Sequence, residues 1–85
     1  MIANPVILKA LEEEERNPDS QWGGHCRPLI EAMTKTNVRP ALIYASIKTG
    51  RILTADNMKL LSGDDLAEWE KYCAEYEELA AQADL

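Results

Sequence analysis

Apolar residues recur along this chain at spacings of three and four, which is the period of an α-helix with one buried face. The pattern is clearest in the last quarter, where steps of 3, 4, 3 and 4 join Leu66, Trp69, Cys73, Tyr76 and Ala80. Tyr72 and Leu79 widen this seam on one side, and Ser62 with Asp65 resembles a capping box at its start. We therefore expect a long helix over 63–82 that packs its seam on the rest of the chain, with a homodimer interface as the alternative.

Three shorter helices are predicted from prolines that stand at a first helical position: 5–16 from Pro5, 28–36 from Pro28, and 40–49 from Pro40. Asn4 precedes the first of them and has a side chain suited to capping it. The loop between the first two helices carries Pro, Asp, Ser and a pair of glycines and shows no sustained period. These helix-starting prolines and loop residues indicate short helices packed on the long one.

The segment 41–54 has two readings that depend on Gly50. In the first, Gly50 ends the 40–49 helix in a left-handed conformation and Thr54 caps a further short helix over 55–61. In the second, "ALIYAS" and "RILT" are strands of a hairpin with Gly50 in its turn. A lone ribbon of two short strands is marginally stable, so the helical reading is preferred. The predicted fold class is all-α, a compact bundle of four or five helices, with an α+β fold containing a 41–54 hairpin as the alternative.

Composition indicates a folded protein. The chain has 85 residues, of which 46% are hydrophobic and 28% charged, and a chain of this length supports one core, so residues 1–85 are expected to form one helical domain. The short apolar run near the N-terminus is followed by four glutamates, unlike a signal peptide or a membrane span. With two cysteines and no export signal, the expected location is the cytoplasm, and Cys26 and Cys73 are expected to be free thiols in apolar surroundings.

Charge is distributed unevenly along the chain. The net charge is −2 over residues 1–16, +3 over 17–63 and −7 over 64–85, with Lys71 as the single base of the last segment. Asp64 and Asp65 suit the N-terminus of the predicted helix, but Glu77 and Glu78 oppose the helix dipole near its C-terminus. This excess of acids predicts either a solvated face or a surface that docks on a basic partner, where carboxylates would take the places of phosphates.

The loop "WGGHCRP", residues 22–28, combines two glycines with His25 and Cys26. One histidine and two cysteines are too few ligands for zinc, and a cysteine nucleophile needs a base that a sequence neighbour seldom provides. Walker, GxGxxG and GxSxG motifs are absent from the sequence. We therefore expect no enzyme activity, no metal and no cofactor. The loop is interpreted as a turn in which Trp22 covers the core and His25 stays on the rim.

These observations favour a non-enzymatic protein that binds another macromolecule as an inhibitor, adaptor or regulator. A phage-type inhibitor that docks on a basic, nucleic-acid-handling protein fits the size and charge. The expected contact residues are Glu68, Glu70, Glu75, Glu77, Glu78, Trp22 and His25. The alternatives are a homo-oligomeric structural module and a small helix-turn-helix regulator that touches DNA through Lys48, Arg51 and Lys59. The acidic net charge of −6 argues against direct nucleic-acid binding.

Overall fold

A computed structural model of the chain describes residues 4–20, 22, 26–36, 38–52, 56 and 59–84. Its helices are α1 (Pro5–Glu15), α2 (Cys26–Lys35), α3 (Pro40–Thr49) and α4 (Asp64–Gln82), and the described residues include no strand. The all-α prediction with a long C-terminal helix is confirmed. The alternative hairpin at 41–54 is wrong, because α3 occupies the segment that would have supplied its first strand. Of the predicted helix over 55–61, residues 55, 57 and 58 lie outside the described residues, and residues 59–61 are not helical.

α1 begins where Asn4 and Pro5 predict it. The side-chain oxygen of Asn4 accepts hydrogen bonds from the backbone N–H groups of Val6 at 3.0 Å and Ile7 at 3.2 Å. Pro5 stands at the first helical position, where a missing N–H group costs no hydrogen bond. The side chains that α1 buries are Val6, Ile7, Ala10 and Leu11. The cap therefore fixes the start of the helix, and the spacing of these four residues gives it one apolar face.

α2 begins at Cys26, two residues before the start predicted at Pro28. Pro28 consequently lies in the first turn of α2, where proline is tolerated because the first N–H groups of a helix have no partner within it. Cys26, Ile30 and Met33 are buried on the side of α2 that faces the core. Lys35 ends the helix, where a cation is favoured by the helix dipole.

α3 is the central helix. Every residue from Ala41 to Ile47 is buried, as expected of a helix that contacts neighbours on all sides. Ser46 is tolerated there because its hydroxyl donates to the Leu42 carbonyl at 2.8 Å. The helix ends at Gly50, which has φ 74° and ψ 17° and donates its N–H to the Ser46 carbonyl at 3.0 Å. The prediction that Gly50 ends a helix in a left-handed conformation is confirmed.

α4 starts differently from the prediction. Gly63, with φ 58°, is the residue before the first helical residue, and no side chain caps the start. The expected capping box led by Ser62 is wrong, because Ser62 lies one residue too early to reach the N–H groups of the first turn. Asp64 and Asp65 occupy that turn, where the helix dipole favours anions.

The apolar seam of α4 packs within the chain. Tyr76 is buried, and Tyr72, Cys73, Leu79 and Ala80 pack against the core that all four helices build. The rings of Tyr44 on α3 and Tyr76 are 5.8 Å apart between centroids, tilted by 50°. Such tilted aromatic pairs are worth about 0.5–1.5 kcal/mol beyond the burial of their area. The expected packing of the seam on the shorter helices is confirmed from Tyr72 to Ala80, whereas Leu66 and Trp69 at its start are half-buried.

Candidate partner-binding surface

The inward seam of α4 determines which of its side chains face solvent. A helix turns by about 100° per residue, so residues seven apart lie on the same side after nearly two turns. Glu70 and Glu77 are related in this way and lie on one flank of α4, about 100–120° around the helix axis from the buried Tyr76. Glu78 lies on the side of α4 opposite Tyr76, whereas Glu68 lies on the other flank, seven residues before Glu75. All four side chains are exposed. Glu70, Glu77 and Glu78 share one side of the helix, and we call these three residues the acidic face.

Partners within the chain neutralise little of this charge. Within the described part of the chain, the acid of α4 that lies within 4.0 Å of a cation is Asp65, whose Oδ1 is 3.1 Å from Arg51. That pair is at the N-terminal end of the helix, away from Glu77 and Glu78. The acidic face therefore carries its charge into solvent.

Glu75 differs from the acids of the acidic face. It is half-buried, and its carboxylate lies beside the hydroxyl of Tyr44, a buried residue of α3. Burial and this carboxylate together raise the pKa of Tyr44 above its ordinary value. Lys48 Nζ lies 5.6 Å from the centroid of the same ring. Glu75, although predicted as a contact residue, thus also joins α4 to α3.

Trp22 lies in the core. Its side chain is buried, and its indole Nε1 donates to the carbonyl oxygen of Ile47 at 3.3 Å. This hydrogen bond satisfies the polar atom of the ring and places Trp22 over the C-terminal end of α3. The ring consequently offers little surface to a partner, in keeping with the interpretation that Trp22 covers the core. His25, the other predicted contact of this loop, lies outside the described residues.

The two cysteines are free thiols in apolar surroundings, as predicted. Burial raises the pKa of Cys26 to about 11, with smaller contributions from Glu14 and Glu15. Burial also raises the pKa of Cys73, whose Sγ lies 3.8 Å from the Ala41 carbonyl oxygen. A nucleophilic cysteine needs its thiolate, so these surroundings disfavour catalysis by either residue. No group of three or more histidine, cysteine or acidic side chains suited to a metal ion occurs among the described residues.

Several bases contact acids of the chain itself. Arg27 donates to both carboxylate oxygens of Glu15, at 2.8 and 3.0 Å. Lys48 Nζ is 3.9 Å from Glu13, and Arg51 pairs with Asp65. Lys48 and Arg51 are two of the three bases expected to touch DNA in the helix-turn-helix alternative; the third, Lys59, is exposed. Because both are already close to carboxylates, they present less free positive charge than the sequence alone indicates.

A row of small residues, missed in the sequence, runs along the outward side of α4. Ala67, Ala74 and Ala81 are exposed and separated by seven residues, so they lie nearly in line between Glu70 and Glu77 on one side and Glu78 on the other. The sequence contains this heptad spacing, but helix propensity alone accounts for alanines in a helix. Their position on the surface became apparent once the buried side of α4 was known.

Comparisons of this chain with models of protein families, with curated proteins and with solved structures find no match. Across the described residues, every helix is too short or too polar to cross a lipid bilayer.

Proposed function

We propose that this is a non-enzymatic protein that binds a basic surface of another protein through the acidic face of α4. The observation that carries the proposal is the outward position of Glu70, Glu77 and Glu78, which are exposed and lie more than 4.0 Å from every cation of the described residues. An acidic helix side of this kind attracts a positively charged partner over a Debye length of about 8–10 Å at physiological salt.

The acids near the C-terminus of α4 do not stabilise the folded chain. Glu77 and Glu78 lie in the last two turns of α4, where a negative charge opposes the helix dipole by about 0.3–1 kcal/mol. Carboxylates on one helix also repel each other by a few tenths of a kcal/mol per close pair. A partner that supplies lysine or arginine side chains would reverse both penalties on binding.

The row of exposed alanines on α4, called the alanine row below, allows a partner to approach this helix closely. Ala67, Ala74 and Ala81 present small side chains between acids that flank them on both sides. A partner segment can therefore approach the backbone of α4 while its bases reach the carboxylates on either side. A ridge of this shape suits a basic cleft, and we propose an inhibitor that fills a nucleic-acid-binding cleft, its carboxylates in place of phosphates, as the form of this function.

The first test is a capture experiment with two variants of equal charge. Glu70→Lys/Glu77→Lys reverses two charges on the acidic face, and Glu12→Lys/Asp19→Lys reverses two exposed charges on α1 and the loop after it. Each tagged protein is incubated with a lysate of the organism that encodes it, and bound proteins are identified by mass spectrometry. We expect a basic protein to be retained by the unaltered chain and by the Glu12/Asp19 variant, and lost from the Glu70/Glu77 variant.

The captured protein is then purified, and its dissociation constant is measured at several salt concentrations. Docking through the acidic face requires that affinity fall as salt rises and that the Glu70/Glu77 variant weaken binding by at least tenfold, which corresponds to about 1.4 kcal/mol. Equal affinity of the two variants would show that the acidic face is not the docking surface.

A further inference from the structure

We draw no further inference here: the strongest candidate, the groove of about 470 Å³ between α1, α3 and α4, carries nothing, because Lys48 and Glu75 on its walls already contact Tyr44 and nothing in the structure shows what covers it.

Discussion

Asn4 and Tyr76 join the two ends of the described chain through one side-chain amide. The oxygen of Asn4 caps α1, and its Nδ2 donates to the hydroxyl of Tyr76 at 2.8 Å, across 72 positions of sequence. Tyr76 is the most deeply buried residue of α4. A residue that the sequence marks as a local cap therefore also attaches the first helix to the last one.

Substitutions at this pair should separate the two roles of Asn4. Tyr76→Phe removes the acceptor of the amide, with an expected loss of about 1 kcal/mol of unfolding free energy. Asn4→Asp keeps a capping oxygen but loses the donor, and Asn4→Ala loses both, with an expected cost of about 1–3 kcal/mol. Urea denaturation followed by circular dichroism measures each value.

The double variant Asn4→Ala/Tyr76→Phe completes a thermodynamic cycle. We expect it to be less destabilised than the sum of its single variants, by about 0.5 kcal/mol or more, because the contact can be lost once only. Strict additivity would contradict a direct Asn4–Tyr76 hydrogen bond.

The end of α3 provides a second prediction. Gly50 has φ 74°, a conformation that costs a residue with a Cβ about 1 kcal/mol. Gly50→Ala should lower the free energy of unfolding by about that amount, whereas Gly50→Asn should cost less because asparagine tolerates the left-handed region. Thermal denaturation of the two variants in parallel gives the comparison. Equal stability of the alanine variant and the unaltered chain would be inconsistent with a left-handed residue here.

A third prediction concerns how the stability of the folded protein changes at low pH. The two hydrogen bonds from Arg27 hold the pKa of Glu15 below its ordinary value of 4.5. Because the folded-state pKa is the lower one, the folded state is favoured above the unfolded-state pKa, and this contribution is lost as the pH falls through the folded-state value. Glu15→Gln should therefore reduce stability at neutral pH and flatten its decline below about pH 4.5.

The matched control for this experiment is Glu12→Gln, an exposed glutamate of the same helix whose carboxylate receives no such pair of hydrogen bonds from Arg27. Urea midpoints measured from pH 7 to pH 3 compare the two variants. The same pH profile in both would mean that the Glu15–Arg27 contact does not contribute to folding.

Thiol reactivity tests the surroundings of Cys26. With a pKa of about 11, Cys26 has roughly one thiolate in a thousand molecules at pH 8, and its side chain is buried. We expect iodoacetamide to modify Cys26 at least a hundredfold more slowly in the folded protein than in urea. Peptide mass spectrometry after timed quenching measures this rate, and Cys73, which is half-buried, serves as the internal comparison. Rapid labelling of Cys26 in the folded state would contradict its burial.

The charges of the acidic face should be dispensable for folding. Glu77→Lys and Glu78→Lys place cations in the last two turns of α4, where the dipole favours them. Each variant should be as stable as the unaltered chain or more stable by a few tenths of a kcal/mol, as measured by thermal denaturation. Destabilisation by more than about 1 kcal/mol would give these acids a structural role and remove the argument that they serve a partner.

Much of the helical structure could be predicted because its signals are local. Pro5, Pro40 and Gly50 act on the backbone within one or two residues of their own positions, and the structure places helix ends there. The start of α4 was predicted less well. Ser62 has the right chemistry for a cap, but Gly63 turns the chain with a positive φ, and sequence spacing does not reveal that angle.

The candidate surface could be predicted in part. The sequence shows that acids gather in residues 64–85, but Glu70 and Glu75 look equivalent there. Packing separates them, because Glu75 turns toward Tyr44 while Glu70 faces solvent. Trp22 was predicted both to cover the core and to contact a partner, and its hydrogen bond to Ile47 shows the first of these roles.

The sequence by itself therefore determined the helices and the imbalance of charge, since both depend on residue type and on short-range spacing along the chain. The tertiary structure alone decided which acids remain in solvent, which bases are paired, and where the alanine row lies. The reason is physical: exposure and ion pairing depend on distances between helices, and contacts such as Asn4 with Tyr76 or Arg27 with Glu15 join residues that are far apart in sequence.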